Sequence, residues 1–586
     1  MSASIQPASG IGAWRIIVIG LVAALAIGIG VAAGGFFLTN QPAGVGTAAT
    51  YVRADAPFYV ELRLEASEAQ DAALRDVLGR FPPITGLDLE RPLFGQLGEL
   101  VEAELARHDE LQLSWADDVE SWWDGRVTLA VTDIPFEDFA VPSDPMAPMP
   151  EPSMPGMVVV LGATDPAATG KLTERLRAEA ADDGTEFTET THAGTIIVTS
   201  DGGAYAVTDD ALLIGPSTAD IESALDTHAE PGAGIGSAVD LAGMAAQLPA
   251  DWLAFGVYDL TDLMAASLAA GGEEAEAMSA AFDSLLEHQP MRGAMAVSAS
   301  GDRLAMDAVS TAPSGPFAVE NADRGLADEV PGDALYYSES GNIGAALTAL
   351  IETLKEAAAT EPEAAERIDT AEAALGADLE ELVAWVDDGA IVAGWDGASP
   401  YGGLLLVPND VEAAERRLGQ LATFAGLAGM DPSSGVSVSE DEIAGTSVTT
   451  IRWDDPSSAG TEGMMLPSGV ALQYAVTDDR ALIGIGETFV GMALELDEAD
   501  SLAAEPRFTD AVDELGGASN AGATWVDLRG AREAIMVAMT DWMGVMDSEG
   551  IFEREIEPWL LPLDRMVTVS VLDGELLVSR SALLLE

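Results

Sequence analysis

The stretch Tyr205–Gly215 (YAVTDDALLIG) returns at Tyr474–Gly484 (YAVTDDRALIG), 474 − 205 = 269 positions further on. No other feature constrains the fold as strongly, because a segment that returns in this way marks a supersecondary unit used twice. Further matches keep the same order. Ala193-Gly194-Thr195 matches Ala444-Gly445-Thr446, and DAPFYVEL (Asp55 to Leu62) matches DALYYSES (Asp333 to Ser340). The apolar run ending at Leu260 matches the one ending at Leu528, and Trp122-Trp123-Asp124-Gly125-Arg126-Val127 stands opposite Val386-Asp387-Asp388-Gly389-Ala390-Ile391. The offsets drift while the order holds, as duplication with loop insertions produces. The sequence therefore divides into a first unit over 51–320, a linker over 321–329 and a second unit over 330–586.

Each unit reads alike in coarse secondary structure. A short strand (FYVELRL or ALYYSE) leads into helices, then strands such as RVTLAVTD and GMVVVLGATD, then a helix opened by Asp165 or by Asn409-Asp410. Asp and Asn suit that place because their side-chain oxygens accept the free N–H groups of a first helical turn. Strands follow around TIIVTS and AYAVTDDALLIG, and each unit closes on a hairpin, around Ser300-Gly301-Asp302 or Asp573-Gly574. Asp-Gly between β runs signals a tight hairpin turn. The expected class is α+β: a duplicated unit of largely antiparallel sheet with packed helices, preceded by one transmembrane helix. At ~270 residues each unit is large enough for its own core.

That transmembrane helix is expected at residues 16–38, where 23 consecutive positions are uncharged and mostly apolar. At 1.5 Å per residue the run spans about 34 Å, against about 30 Å for a bilayer's hydrocarbon core. Trp14 and Arg15 precede it and Thr39-Asn40-Gln41-Pro42 follows. Arg15 and the amino terminus, the positive groups before the span, place residues 1–15 in the cytoplasm as a short tail. Residues 39–50 become a linker to an extracytoplasmic body, and the expected location is the plasma membrane. A cleaved signal peptide is the competing reading, with Val31-Ala32-Ala33 near its cut, but signal cores run about 7–15 residues. A second apolar stretch holding Met536, Met539, Met543 and Met546 is broken by Asp541 and Asp547 and reads as a core-facing amphipathic helix.

Ninety-nine acidic residues face 26 basic ones, a net charge of -73, and the chain has no cysteine. The charge excludes nucleic acid as a partner, since phosphate binding needs cationic surface. Missing cysteines exclude disulfides, thiol nucleophiles and cysteine-ligated metals. Hydrophobic residues make up 48% of the chain, enough to offset the entropy of ordering, so the acidity is not that of a disordered tail. Lys171 and Lys355 are the lysines present, and acid excess with so little lysine reads as adaptation of a surface to its solvent. A weak association with divalent cations is the functional alternative.

Several of these motifs resemble one family. The single N-terminal span, the P-x-D-x-x-x-Y segment (Pro331, Asp333, Tyr337), the helix-to-strand stretch from Gly376 to Trp395 and the hairpin Tyr474 to Gly484 together resemble a bacterial family of unknown function numbered 3352. The likeness is cleaner in the second unit; in the first, Trp122-Trp123 replaces a single Trp and Ala54 lies where the pattern is not met by a leading proline. The resemblance implies a membrane-anchored envelope protein and supplies no catalytic residues.

Candidate chemistry is sparse. His108, His192, His228 and His288 all lie in the first unit, with no HExxH or HxxxH spacing, and read as separate surface histidines. There is no G-x-S-x-G elbow and no Walker loop. Gly484-Ile485-Gly486 with Gly491 reads as a tight strand–helix turn rather than a pyrophosphate cradle. Adjacent acids occur at Asp117-Asp118, Asp182-Asp183, Asp209-Asp210, Asp387-Asp388, Asp454-Asp455 and Asp478-Asp479. Two carboxylates can serve glycoside hydrolysis or calcium, but Asp is also a standard turn residue, and among so many acids pairs arise freely. Met146, Met149, Met154 and Met157, around the proline-rich loop 141–156, offer thioethers to copper(I) without the His or Cys that would complete a set. The sequence thus assigns no catalytic, cofactor or metal residue. It expects a non-enzymatic envelope protein that binds a protein partner or has a structural role, against two alternatives: an extracytoplasmic hydrolase using a carboxylate pair, and a cation-stabilised surface protein.

Overall fold

A computed structural model describes residues 46–84, 86–107, 114–134, 155–182, 184–261, 288–289, 291–359, 362–430, 435–453, 470–546 and 552–586. The expected span 16–38, the tail 1–15, most of the linker 39–50 and the proline-rich loop up to residue 154 lie outside them. No described helix is long and apolar enough to cross a membrane.

The chain is α+β and antiparallel, and it divides into two compact units. The first holds strands β1 (Phe58–Arg63), β2 (Trp123–Asp133), β3 (Gly156–Ala163), β4 (Thr188–His192), β5 (Thr195–Ser200), β6 (Gly203–Val207), β7 (Ala211–Gly215), β8 (Ala254–Asp259), β9 (Arg292–Ser300) and β10 (Arg303–Thr311). Their order across the sheet is β4-β5-β6-β7-β3-β2-β1-β8-β9-β10. The second holds β11 (Tyr336–Ser340), β12 (Val386–Trp395), β13 (Pro400–Pro408), β14 (Val436–Ile443), β15 (Thr446–Trp453), β16 (Val470–Val476), β17 (Ala481–Ile485), β18 (Gly522–Asp527), β19 (Leu563–Asp573) and β20 (Leu576–Leu585). Here the order is β14-β15-β16-β17-β13-β12-β11-β18-β19-β20.

Local chemistry explains the connections. Ser67 accepts Gln70 N–H at 3.1 Å to open helix Glu68–Leu78, Ser217 and Asp220 form a reciprocal cap on Thr218–Ala229, and Asp410 accepts Ala413 N–H at 2.9 Å. Asp165 accepts the N–H groups of Ala167 and Ala168 at the start of Pro166–Asp182. The turn β4–β5 places Ala193 at φ 50° and Gly194 at φ 87°, and β14–β15 places Ala444 at 50° and Gly445 at 83°. Positive φ at both central positions is what a type I′ hairpin demands, and alanine is strained there.

The closing hairpins turn one residue later than Asp573-Gly574 suggested. Asp573 is still paired, with Leu576, so Gly574-Glu575 make the turn, as Gly301-Asp302 do between β9 and β10. Gly574 and Gly301 take φ 65° and 55°, the first-position glycine of a two-residue turn. Residues 321–329 are not a linker: Leu326 is fully buried in the second core, and Ala322 pairs with Asn520.

Each core is aromatic. In the first unit Trp115 and Trp123 meet edge to face at 5.6 Å, with Phe94 against both, and Gly98 lets Trp115 lie where any β-carbon would clash at 2.2 Å. In the second, Phe508 meets Tyr337 and Trp525 edge to face, each at 5.8 Å.

Candidate functional site

The most unusual chemistry among the described residues is a tyrosine-bonded glutamate on the lead strand of each unit, fully buried in the first and half-buried in the second. On β1, alternation sends Tyr59 and Glu61 to one face, and both are fully buried. Glu61 accepts the Tyr59 hydroxyl at 2.7 Å and Gly46 N–H at 3.0 Å, and Arg126 Nη1 from β2 lies 3.3 Å from its other oxygen. On β11, Tyr337 donates to Glu339 at 2.7 Å. Burial, reinforced by the neighbouring glutamate charge, pushes both tyrosine hydroxyls well above their ordinary value. Burial also raises Glu339, opposed by the Tyr337 hydrogen bond and by Arg324.

Arg324 differs from Arg126 in origin. It comes from the segment before β11, its side chain is 1% exposed, and its Nε lies 3.2 Å from Asp388 Oδ2. It donates to the carbonyls of Asn520 and Glu320. Register identifies the swap. Leu62 faces Val127 and Ser340 faces Gly389, so Arg126 and Asp388, each one residue earlier, hold the same place. This alignment agrees with Trp123 to Trp385 and differs by two from the one that sets Gly125 opposite Gly389. The adjoining ladders β2–β3 and β12–β13 carry bulges here, between Trp123 and Val127 and between Val386 and Gly389.

The segments before β1 and β11 also pin onto the repeated TDD turns. Tyr51 donates to Asp210 at 2.6 Å and meets Thr208 at 2.8 Å; 278 residues on, Glu329 pairs with Arg480 Nε at 2.7 Å. Thr208 and Thr477 hydroxyls accept N–H groups from Ala211 and Arg480, each at 3.0 Å, so Asp209-Asp210 and Asp478-Asp479 are turn residues held by threonine.

The remaining candidates fall apart in space. Asp118 is paired with Arg175 at 2.6 Å, which holds its carboxyl below the usual range. Asp183, Asp454, Asp455, His108, Met146, Met149 and Met154 lie outside the described residues. His288 meets Ser314 at 3.2 Å. His192 and His228 both touch helix Thr218–Ala229, the first through Asp226, the second as part of it, stacked on Tyr51 at 4.1 Å. Gly486 takes φ 90° in the turn from β17 to helix Phe489–Leu494, which has six residues and no glycine cradle. Lys355 is committed to Glu372 and Glu380 at 2.7 and 2.9 Å. Among the described residues no three His, Asp or Glu converge as a metal site.

Sequence reasoning missed the arginine-centred network of the second unit. Arg507 reaches Asp564 at 2.6 Å and Asp527 at 3.0 Å while lying 5.5 Å from the Trp525 ring centre, and Arg565 adds a further contact to Asp564. The matching place in the first unit, Asp259, is served by Arg292 at 3.5 Å. The sign was available in the sequence, as an Arg directly after Glu505-Pro506 at the start of a helix, but its partners lie 20 and 57 residues away.

Two open grooves of about 690 Å³ lie in the first unit. One is lined by Arg75, Arg80 and Asp302, the other by Arg53, Glu222, Asp226 and Glu230. Neither includes Glu61.

No curated protein and no solved structure matches the chain. One family model does, described as "Protein of unknown function (DUF3352)", over residues 18–550. Since that match takes in most of both units, the chain belongs to the DUF3352 family.

Proposed function

We propose that the protein is a single-pass envelope component, anchored by residues 16–38, whose extracytoplasmic body consists of two copies of one α+β domain and binds a protein partner through the second. The copying is supported by the shared strand order, by the matched Tyr–Glu pairs and by strained alanine at both Ala-Gly turns. The two glutamates act as anchors in this reading, each already bonded by its own tyrosine.

One observation carries the binding role. Helix Ile343–Ala358 exposes Leu347, Leu350 and Leu354 at spacings of three and four, a single helical stripe left in solvent. Helix Val411–Ala428 adds Phe424 and Leu427, with Met430 just beyond it 78% exposed. Apolar surface concentrated in this way marks an interface more often than chance exposure does. A photoreactive residue at Leu354 in cells should give one discrete covalent adduct, while the same residue at exposed Ile196 of the first unit should not. Identical adducts from both positions, or none from either, would contradict the proposal.

A further inference from the structure

The β4–β5 hairpin and the β14–β15 hairpin each dock on the helix that follows the TDD turn of their own unit, Thr218–Ala229 and Phe489–Leu494, by different chemistry. β4 ends at His192, whose Nε2 lies 2.6 Å from Asp226 Oδ1 and whose Nδ1 lies 3.8 Å from Glu222 Oε1. Residues 222 and 226 are four apart on helix Thr218–Ala229, so both carboxylates point from one face. In the second unit Ile443 stands at the place of His192, at the same offset of 251 as Ala193 to Ala444. Gly491 stands at the place of Glu222, at the offset of 269 that relates the two TDD turns. Ile443 Cδ1 lies 3.7 Å from where a β-carbon on Gly491 would sit, and Ile443 packs against the second core.

We propose that the β4–β5 hairpin is a proton-controlled flap, held to helix Thr218–Ala229 while the His192 ring is charged and loosened when it is neutral, whereas the β14–β15 hairpin is held at every pH. This inference is independent of the partner-binding role. The groups facing His192 set the sign. From the helix come Asp226 and Glu222, both acidic; from β5 comes Thr195, its uncharged register partner. The nearest charge on β4 itself, Glu189, is engaged by Arg177. The Asp226 hydrogen bond above all, with the charges of Asp226 and Glu222, raises the imidazole above its ordinary value against the opposing effect of burial.

A group bound more tightly to its proton in the folded hairpin stabilises it fully below the ordinary imidazole pKa of about 6.5, and that contribution is lost as pH climbs through the raised value. β4 is the end strand of its sheet and mostly exposed, so the His192 contact adds to its pairing with β5 and to the Glu189–Arg177 ion pair. Loosening also frees Glu222 and Asp226 on the wall of the acidic groove they line.

Hydrogen exchange on the full-length chain tests the flap, with rates corrected for intrinsic pH dependence. Between pH 5.5 and pH 8.5 the amides of 188–200 should lose protection roughly two-fold or more, the scale of an exposed ion pair, while those of 436–453 stay constant. His192→Ile should make the first hairpin as pH-insensitive as the second, and Asp226→Asn, a surface change that leaves the core intact, should flatten the response in the same direction. Equal pH responses in both hairpins, or an unchanged response in both variants, would overturn the proposal.

Discussion

Glu61 on β1 and Glu339 on β11 each accept a hydrogen bond from a tyrosine two residues earlier, yet the nearby arginine reaches them differently. Arg126 contacts Glu61 directly, whereas Arg324 pairs with Asp388 and acts on Glu339 through its charge alone. In the first unit β2 supplies Arg126; in the second that position is Asp388, and the segment before β11 supplies Arg324 where the first unit has Gly46. Gly46 could not be larger without displacement, since a β-carbon there would sit 2.8 Å from the Glu61 carboxylate. The difference teaches that the Tyr–Glu hydrogen bond is common to both units, while the depth of the carboxylate and the contact made by the nearby arginine are not. Glu61, fully buried, needs a directly paired countercharge; Glu339, partly exposed, does not.

The largest expected effect follows directly. Arg126→Ala leaves Glu61 with two neutral donors and no countercharge, at a cost of about 3 kcal/mol, reduced from a fully enclosed pair because Arg126 is partly exposed. Chemical denaturation followed by hydrogen exchange should show the loss on β1, β2 and β8 and leave β11, β12 and β18 protected. Loss spread equally over both units would break the comparison between them.

A smaller effect sharpens it. Burial raises Glu339, so the folded second unit holds that proton more tightly than the unfolded chain. Stability from this group therefore falls as pH rises from the ordinary carboxyl range through the raised value, the reverse of a carboxylate whose pKa is lowered. Glu339→Gln should flatten the pH dependence of the second unit's unfolding on the alkaline side of about pH 4.5, the usual carboxyl value. An unaltered profile would mean that Tyr337 and Arg324 compensate the charge in full.

The α+β class, the repeated order of elements and the two TDD turns were legible because turn chemistry is local: Thr208 with Asp210, and Thr477 with Asp479, act within a few residues. The helix starts at Asp165 and Asp410 were legible for the same reason. The linker was misplaced at 321–329 because Asp323, Arg324 and Gly325 look like solvent-exposed chain, while Arg324 is buried by partners 64 and 196 residues away. The pairing of Glu61 with Arg126 was invisible for a related reason. It depends on the pairing of β1 with β2, which brings together side chains 65 positions apart in the sequence. His192 was set aside as a surface histidine, and its partners on helix Thr218–Ala229 become neighbours only through the fold.

The central claim, that the arginine near the Tyr–Glu pair can come from either of two places, is tested most directly by moving the second unit's charge to the first unit's position. Arg324→Gly and Asp388→Arg, made singly and together, form a double-mutant cycle measured by equilibrium unfolding of the full-length chain. Each single change should destabilise the second unit, the first by leaving Asp388 without its ion pair, the second by setting two arginines side by side. The account predicts that the double variant recovers at least about 1 kcal/mol relative to the sum of the singles, the scale of coupling between contacting charges. A double variant as unstable as that sum would contradict it.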